Sequence, residues 1–247
     1  MTKMTERLAD LAGGALLSAA EVTEVNRCSS DFLKVELQSE AFRSVSWVPG
    51  AKLQFRPERG TLGMRAYTPI WWDPANGATQ LIAFPHGDGP AARWFRRVKT
   101  GDTCEVFGPR RSSDLRGLSA RTVFVGDESS VGLACALRTV NGDVRHIFEA
   151  TDPAELAAVL GDLGLAAQCA IVPKNADRAP LVHQARDEAE ASAAPFDLVV
   201  SGDAATVHAL RRDARRWPRQ PRQPRQPRQP RQIKAKAYWA QGRSGLD

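Results

Sequence analysis

The chain has 247 residues, 43% hydrophobic and 25% charged, enough to bury the core of one large or two small globular domains. No apolar run approaches the roughly 20 residues that cross a bilayer, so membrane insertion is not expected. The formal net charge is +6, but residues 218–232 alone carry five arginines and no acid. The basic balance therefore marks that stretch rather than a nucleic-acid face, and no nucleic-acid partner is expected.

Lys3 and Arg7 precede an apolar stretch at 11–20, but Glu6, Asp10 and two glycines break any secretory pattern. The segment reads as a short helix leading into the first strand of a cytoplasmic protein. Short runs with β-branched or aromatic content follow at 16–26, 32–37, 52–55, 64–69, 79–84 and 103–107. Pro49-Gly50, Asn76-Gly77, Gly87-Asp88-Gly89 and Gly101-Asp102 punctuate them. One helix is expected near 91–98. Six short antiparallel strands and one helix suggest a small closed β-barrel.

The period then changes. Strands at 122–125, 144–148, 167–172, 196–200 and 234–239 alternate with helices at 130–140, 153–163, 181–192 and 204–216, which implies an α/β domain with a parallel sheet. Asp152-Pro153 supplies a helix cap with proline at the first helical position. The expected division is 1–117 for the barrel and 118–247 for the α/β domain. Pro-Arg-Gln repeats through 218–232 between the last helix and last strand. Proline at every third position favours an extended polyproline II path, and the tract is expected to stay solvated as a lengthened loop.

Cys28, Cys104, Cys135 and Cys169 are far apart, as are the four histidines. No zinc or iron–sulfur spacing is present, the cysteines read as small core residues, and no metal site is expected.

Two segments carry chemistry. In Arg65-Ala66-Tyr67-Thr68-Pro69, a cation and an aromatic ring share one face of a strand, with a hydroxyl beside them. This can serve the pyrophosphate, ring and N5 edge of a flavin, or simply be a strand with a core tyrosine and a surface arginine. His86-Gly87-Asp88-Gly89-Pro90-Ala91-Ala92-Arg93-Trp94-Phe95 is a glycine-rich loop opening a helix, where free amides and the helix dipole favour an anion.

These segments, followed by Gly101-Asp102-Thr103-Cys104-Glu105-Val106-Phe107-Gly108-Pro109, resemble the siderophore-interacting proteins of the ferredoxin-reductase-like flavoprotein superfamily. The likeness continues through Gly126-Asp127-Glu128-Ser129, Ser201-Gly202-Asp203-Ala204 with Leu210-Arg211, and Ala237-Tyr238-Trp239-Ala240-Gln241-Gly242. The chain departs from the family pattern at Ser129-Ser130-Val131-Gly132 and at Asp203, and its second domain has no G-x-G-x-x-G.

The resemblance implies an N-terminal FAD-binding barrel and a C-terminal domain like those that bind NADH or NADPH. It implies that Arg65, Tyr67 and Thr68 hold FAD, with Tyr67 and Thr68 at the reacting edge, and that His86, Gly87, Ala91 and Ala92 hold its phosphate and ribityl region. Asp127, Glu128 and Ser129 would border the nicotinamide or adenine, with Tyr238 and Trp239 near the flavin. The implied activity is NAD(P)H-dependent reduction of a ferric siderophore that releases Fe(II), in a protein that could act as a monomer. A general flavin or ferric reductase and a catalytically weakened FAD-binding protein are the neighbouring readings. Arg110, Arg111, Lys234 and Lys236 are candidate cations for an anionic ferric complex.

Overall fold

The computed structural model describes residues 17–57, 64–192, 194–219 and 226–242. The expected N-terminal helix lies outside these residues. The chain divides into two compact units, Met1–Asp114 and Leu115–Leu246, with the boundary beside the change of period.

The first unit contains a seven-stranded sheet in the order β4-β3-β7-β1-β2-β6-β5. Its strands are β1 (Ser18–Arg27), β2 (Leu33–Gln38), β3 (Lys52–Arg56), β4 (Arg65–Tyr67), β5 (Pro69–Asp73), β6 (Ala78–Ala83) and β7 (Thr103–Arg110). All the pairings are antiparallel. The count exceeds the expected six because the run at 64–69 is not one strand. The chain turns at Thr68, and Pro69–Asp73 pairs with β6 instead of continuing β4. The terminal strands β4 and β5 are therefore separated by a single residue. Tyr67 and Pro69 can be no more than about 7 Å apart, so the sheet must curl until its two ends meet.

Period-two alternation fills the inside of this cylinder. Leu33, Val35 and Leu37 of β2 are buried, while their neighbours are half-exposed or exposed. They join Val22, Leu53, Phe55, Leu81 and Val106 in one core. The helix α1 (Pro90–Arg97) closes it with Ala91, Trp94 and Phe95.

In the second unit five parallel strands run in the order β10-β9-β8-β11-β12. They are β8 (Arg121–Asp127), β9 (Asp143–Ala150), β10 (Cys169–Pro173), β11 (Asp197–Asp203) and β12 (Ile233–Trp239). The crossovers contain α2 (Val131–Arg138), α3 (Pro153–Asp162), α4 (Ala179–Ala191) and α5 (Ala204–Ala214). Asp152 caps α3 through the amides of Ala154 and Glu155, as the sequence suggested. Strands β8 and β11 are buried along nearly their whole length, which is why they read as continuous apolar runs. The chain steps from β8 outward through β9 and β10, then returns to β11 and β12 on the other side. The order thus reverses between β8 and β11.

The Pro-Arg-Gln tract departs from expectation over its described second half. Pro230 is buried, and residues 226–229 are half-buried. The Gln229 amide donates to the Pro218 carbonyl at 2.9 Å, and the Arg231 amide to the Phe196 carbonyl at 2.8 Å. Proline lacks an N–H, but the intervening arginines and glutamines keep theirs, and these tie the tract to the domain. Of the four cysteines, Cys104 and Cys135 are buried, Cys28 and Cys169 only half-buried.

Candidate functional site

In the first unit an open cavity of about 220 Å³ is lined by Arg65, Tyr67, Phe84, Pro85, His86, Gly87, Gly89, Ala91 and Ala92. The strand period puts Arg65 and Tyr67 on the same face of β4, and both reach the cavity. Tyr67 packs edge-on against Phe95, ring centres 5.0 Å apart, and against Phe55 at 6.0 Å. Burial pushes its phenol well above the ordinary range, with Arg65 acting in the opposite sense. Thr68 is buried at the turn between β4 and β5.

The other wall is the start of α1. Its N-cap is Gly89, which offers no side-chain acceptor to the helix, and Pro90 occupies the first turn. The Arg93 amide reaches the Gly89 carbonyl at 3.0 Å, but the amides of Ala91 and Ala92 precede the first intrahelical bond. Two amides that the helix itself leaves without a partner, at its positive end, thus border the cavity. Gly87 has φ +69 and Gly89 is also open: a Cβ added at either meets nothing within 4 Å. His86 stacks on Phe84 with ring centres 5.5 Å apart, and its Nδ1 lies 3.1 Å from the Phe84 carbonyl. A carbonyl can only accept, so Nδ1 carries the proton.

A cation, an aromatic face, an uncapped helix start and glycines leaving room for a ligand suit a dinucleotide flavin. Phe84, Pro85 and Gly89 were not singled out from the sequence. A strand running straight into a glycine-rich loop was the available signal for Phe84.

Residues 15–113 match the family described as the siderophore-interacting FAD-binding domain. The first unit is thus similar to a siderophore-interacting FAD-binding domain over these residues. FAD is its cofactor, and the cavity residues Arg65, Tyr67, His86, Gly87, Ala91 and Ala92 belong to this domain. Curated proteins yield no match to the chain.

Solved structures share the fold. The siderophore-interacting protein SipS from Aeromonas hydrophila superposes with a TM-score of 0.70 at 20% identity, over 93% of each chain. A siderophore utilization protein from T. fusca gives 0.66 at 22% identity, over 94% of this chain and 95% of its own. A ferredoxin NADP+ reductase from Neisseria gonorrhoeae with bound FAD and NADP gives 0.64 at 15% identity, over 90% of this chain and 99% of its own. The two-domain architecture is thus ferredoxin-reductase-like.

In the second unit the reversal between β8 and β11 opens at the strands' carboxyl ends, where ligands bind in open α/β sheets. Asp127 ends β8 there, nearly fully buried. One carboxylate oxygen accepts from the Ser129 amide at 3.0 Å, the Ser129 hydroxyl at 2.5 Å and the Ser130 hydroxyl at 3.3 Å. The other accepts from the Asp203 amide at 3.0 Å and the Trp239 indole at 2.7 Å. Burial pushes the Asp127 carboxyl up, while Lys174 and the Ser129 and Trp239 donors act against it.

Glu128 accepts from the Thr151 amide and from Lys174, both at 2.7 Å. Burial works against its charge, yet the Lys174 ammonium and the Thr151 amide hold it below the usual range. Arg178 pairs with Asp203 at 2.5 Å, and the Thr206 hydroxyl donates to Glu149 at 2.7 Å. Sequence reading brought Asp127, Glu128 and Ser129 to this edge; it expected Trp239 near a flavin, and the structure joins Trp239 to Asp127. That reading missed Glu149, Lys174 and Arg178, whose signal is a charged residue within or just beyond the carboxyl end of an apolar strand. Tyr238 lies half-buried on the edge strand β12.

Of the four candidate substrate cations, Arg110 and Arg111 are exposed at the end of β7. The Arg110 guanidinium sits 5.0 Å over the Phe107 ring. Lys234 donates to the Arg116 carbonyl at 2.9 Å, and Lys236 is half-buried on β12.

Proposed function

We propose that the chain is a flavin-dependent oxidoreductase that reduces ferric siderophores with NADH or NADPH as electron donor and releases Fe(II) inside the cell. The observation that carries this reading is the cavity that joins Arg65 and Tyr67 to the uncapped start of α1, in a unit similar to the siderophore-interacting FAD-binding domain.

When bound, FAD supplies the transfer of electrons between a two-electron donor and a one-electron ferric acceptor. The protein supplies position and charge. Arg65 neutralises pyrophosphate charge, and the Ala91 and Ala92 amides with His86 and Gly87 receive phosphate oxygens. Tyr67 offers its ring as a stacking face. Its perturbed phenol stays protonated throughout the physiological range, so it acts as an uncharged donor. Thr68 places a hydroxyl beside it.

At the carboxyl edge of the second unit, Asp127 and Glu128 serve a nicotinamide donor as a frame. Their oxygens are already occupied, and what they fix is the position of Ser129, Lys174 and Trp239. Arg110, Arg111, Lys234 and Lys236 each place positive charge that attracts an anionic ferric complex, whose hard oxygen ligands suit Fe(III) better than Fe(II).

The test is reduction of a ferric catecholate by NADH or NADPH, followed with a ferrous trap across a salt series. Trap signal that requires flavin and falls as salt rises supports the proposal. Flavin reduction with no trap signal would leave a general flavin reductase instead.

A further inference from the structure

The loop 85–89 owes its shape to two arginines that do not line the cavity. Arg96, in the last turn of α1, reaches back with Nη2 to the Pro85 carbonyl at 3.0 Å and the Gly87 carbonyl at 2.8 Å. Its Nη1 meets the Asp88 carboxylate at 3.3 Å. Arg93, one turn earlier, donates to the Asp88 carbonyl. The Gly89 carbonyl is taken by the Arg93 amide. Arg96 is tied in turn, since Arg27 of β1 donates to its backbone carbonyl at 2.9 Å.

Four of the five carbonyls from Pro85 to Gly89 are therefore held by α1. A carbonyl facing an anion repels it, and an amide attracts it. Across a trans peptide the N–H points opposite to the C=O of the preceding residue. Holding the Gly87 and Asp88 carbonyls toward the guanidiniums turns the Asp88 and Gly89 amides the other way. Gly87 sits at positive φ with no Cβ to restrict it, so nothing in the loop's own sequence imposes this orientation.

We infer that Arg96, assisted by Arg93, is a positioning residue that sets the 85–89 loop to receive the phosphates of the flavin nucleotide. This rests on the FAD assignment of the cavity. The two guanidiniums act through the loop backbone and by direction, so the chemical feature they select is the phosphate and not the isoalloxazine ring.

The experiment titrates flavins into the deflavinated full-length protein, with ring fluorescence as the signal. It compares wild type with Arg96→Ala and Arg96→Lys, using FAD and phosphate-free riboflavin. For Arg96→Ala the FAD dissociation constant should rise about tenfold, as expected for losing two charge-assisted bonds to the loop, while riboflavin affinity stays at the wild-type value. Arg96→Lys keeps the charge but reaches one carbonyl at a time, and should fall between.

Amide exchange over 85–92 in the flavin-free protein should quicken in Arg96→Ala. Should that variant fail to fold, Arg93→Ala removes only the Asp88 carbonyl contact and should show the same selective loss, about threefold. Wild-type FAD affinity in Arg96→Ala, or equal losses for FAD and riboflavin, would overturn the inference. A wild-type protein that binds no FAD would instead overturn the assignment beneath it.

Discussion

Asp127 and Trp239 are 112 residues apart, yet the Trp239 indole donates to the Asp127 carboxylate at 2.7 Å. One carboxylate oxygen thereby joins the ends of β8 and β12, and through the Asp203 amide the end of β11 between them. Gly202 makes room for it. At φ +108 it occupies backbone that side chains rarely adopt, and a Cβ there would sit 2.6 Å from the Asp127 Cγ.

Asp127→Ala strands several buried donors at once, and unfolding in urea should show a loss of at least about 3 kcal/mol. Trp239→Phe removes one donor and should cost about 1–2 kcal/mol. Gly202→Ala should destabilise as well, through strain and the displaced carboxylate. Wild-type stability in Asp127→Ala would show that the network is incidental.

Arg65→Ala and Tyr67→Ala should purify folded but depleted of flavin. A charge-assisted contact is worth about 1.5–3 kcal/mol, so FAD affinity in Arg65→Ala should fall roughly tenfold to a hundredfold. The ratio of flavin to protein absorbance in the purified variants, with circular dichroism as the folding check, measures this.

His146 is buried in the second unit, 4% exposed, and among the described residues neither ring nitrogen finds a hydrogen-bond partner. Phe124 and Phe148 pack around it. Burial, helped by Arg138, lowers its pKa from 6.5 to about 4. Above pH 6.5 the ring is neutral in both folded and unfolded chains. As pH falls, the unfolded chain takes up a proton that the folded one refuses until about pH 4. Stability should therefore drop across that window by roughly 3 kcal/mol. His146→Leu should flatten the difference between urea midpoints at pH 7 and pH 5; an unchanged slope would place the titration elsewhere.

The tract 218–232 bears on stability through its second half. Replacing residues 226–232 by a Gly/Ser segment removes the buried Pro230 ring and the Gln232 side-chain bonds to the Gly117 carbonyl and the Asp197 carboxylate, and frees the backbone whose amides at 229 and 231 bond Pro218 and Phe196. A loss of about 2 kcal/mol in thermal or urea unfolding is expected. A loop that only bridges two elements would show almost none.

The sequence made legible whatever is local. The period-two burial of Leu33, Val35 and Leu37 and the apolar runs of β8 and β11 follow from side-chain spacing alone. So do the shared face of Arg65 and Tyr67 and the amides at the start of α1. Features that depend on distant partners were not legible. The turn at Thr68 arises because Pro69–Asp73 finds β6, which no pattern within the segment announces. The backward reach of Arg93 and Arg96 looks in sequence like an ordinary basic face of a helix. The burial of Pro230 goes with the backbone bonds of its neighbours Gln229 and Arg231 to Pro218 and Phe196, and low-complexity composition hides those partners.

The most direct measurement is a titration of the deflavinated protein with FAD, read by flavin fluorescence and absorbance, with Arg65→Ala alongside. One FAD per chain is expected, with tight binding in wild type and a clear loss in the variant. A folded wild-type protein that leaves the flavin spectrum unchanged, or an Arg65→Ala variant that binds as well as wild type, would contradict the assignment of the cavity.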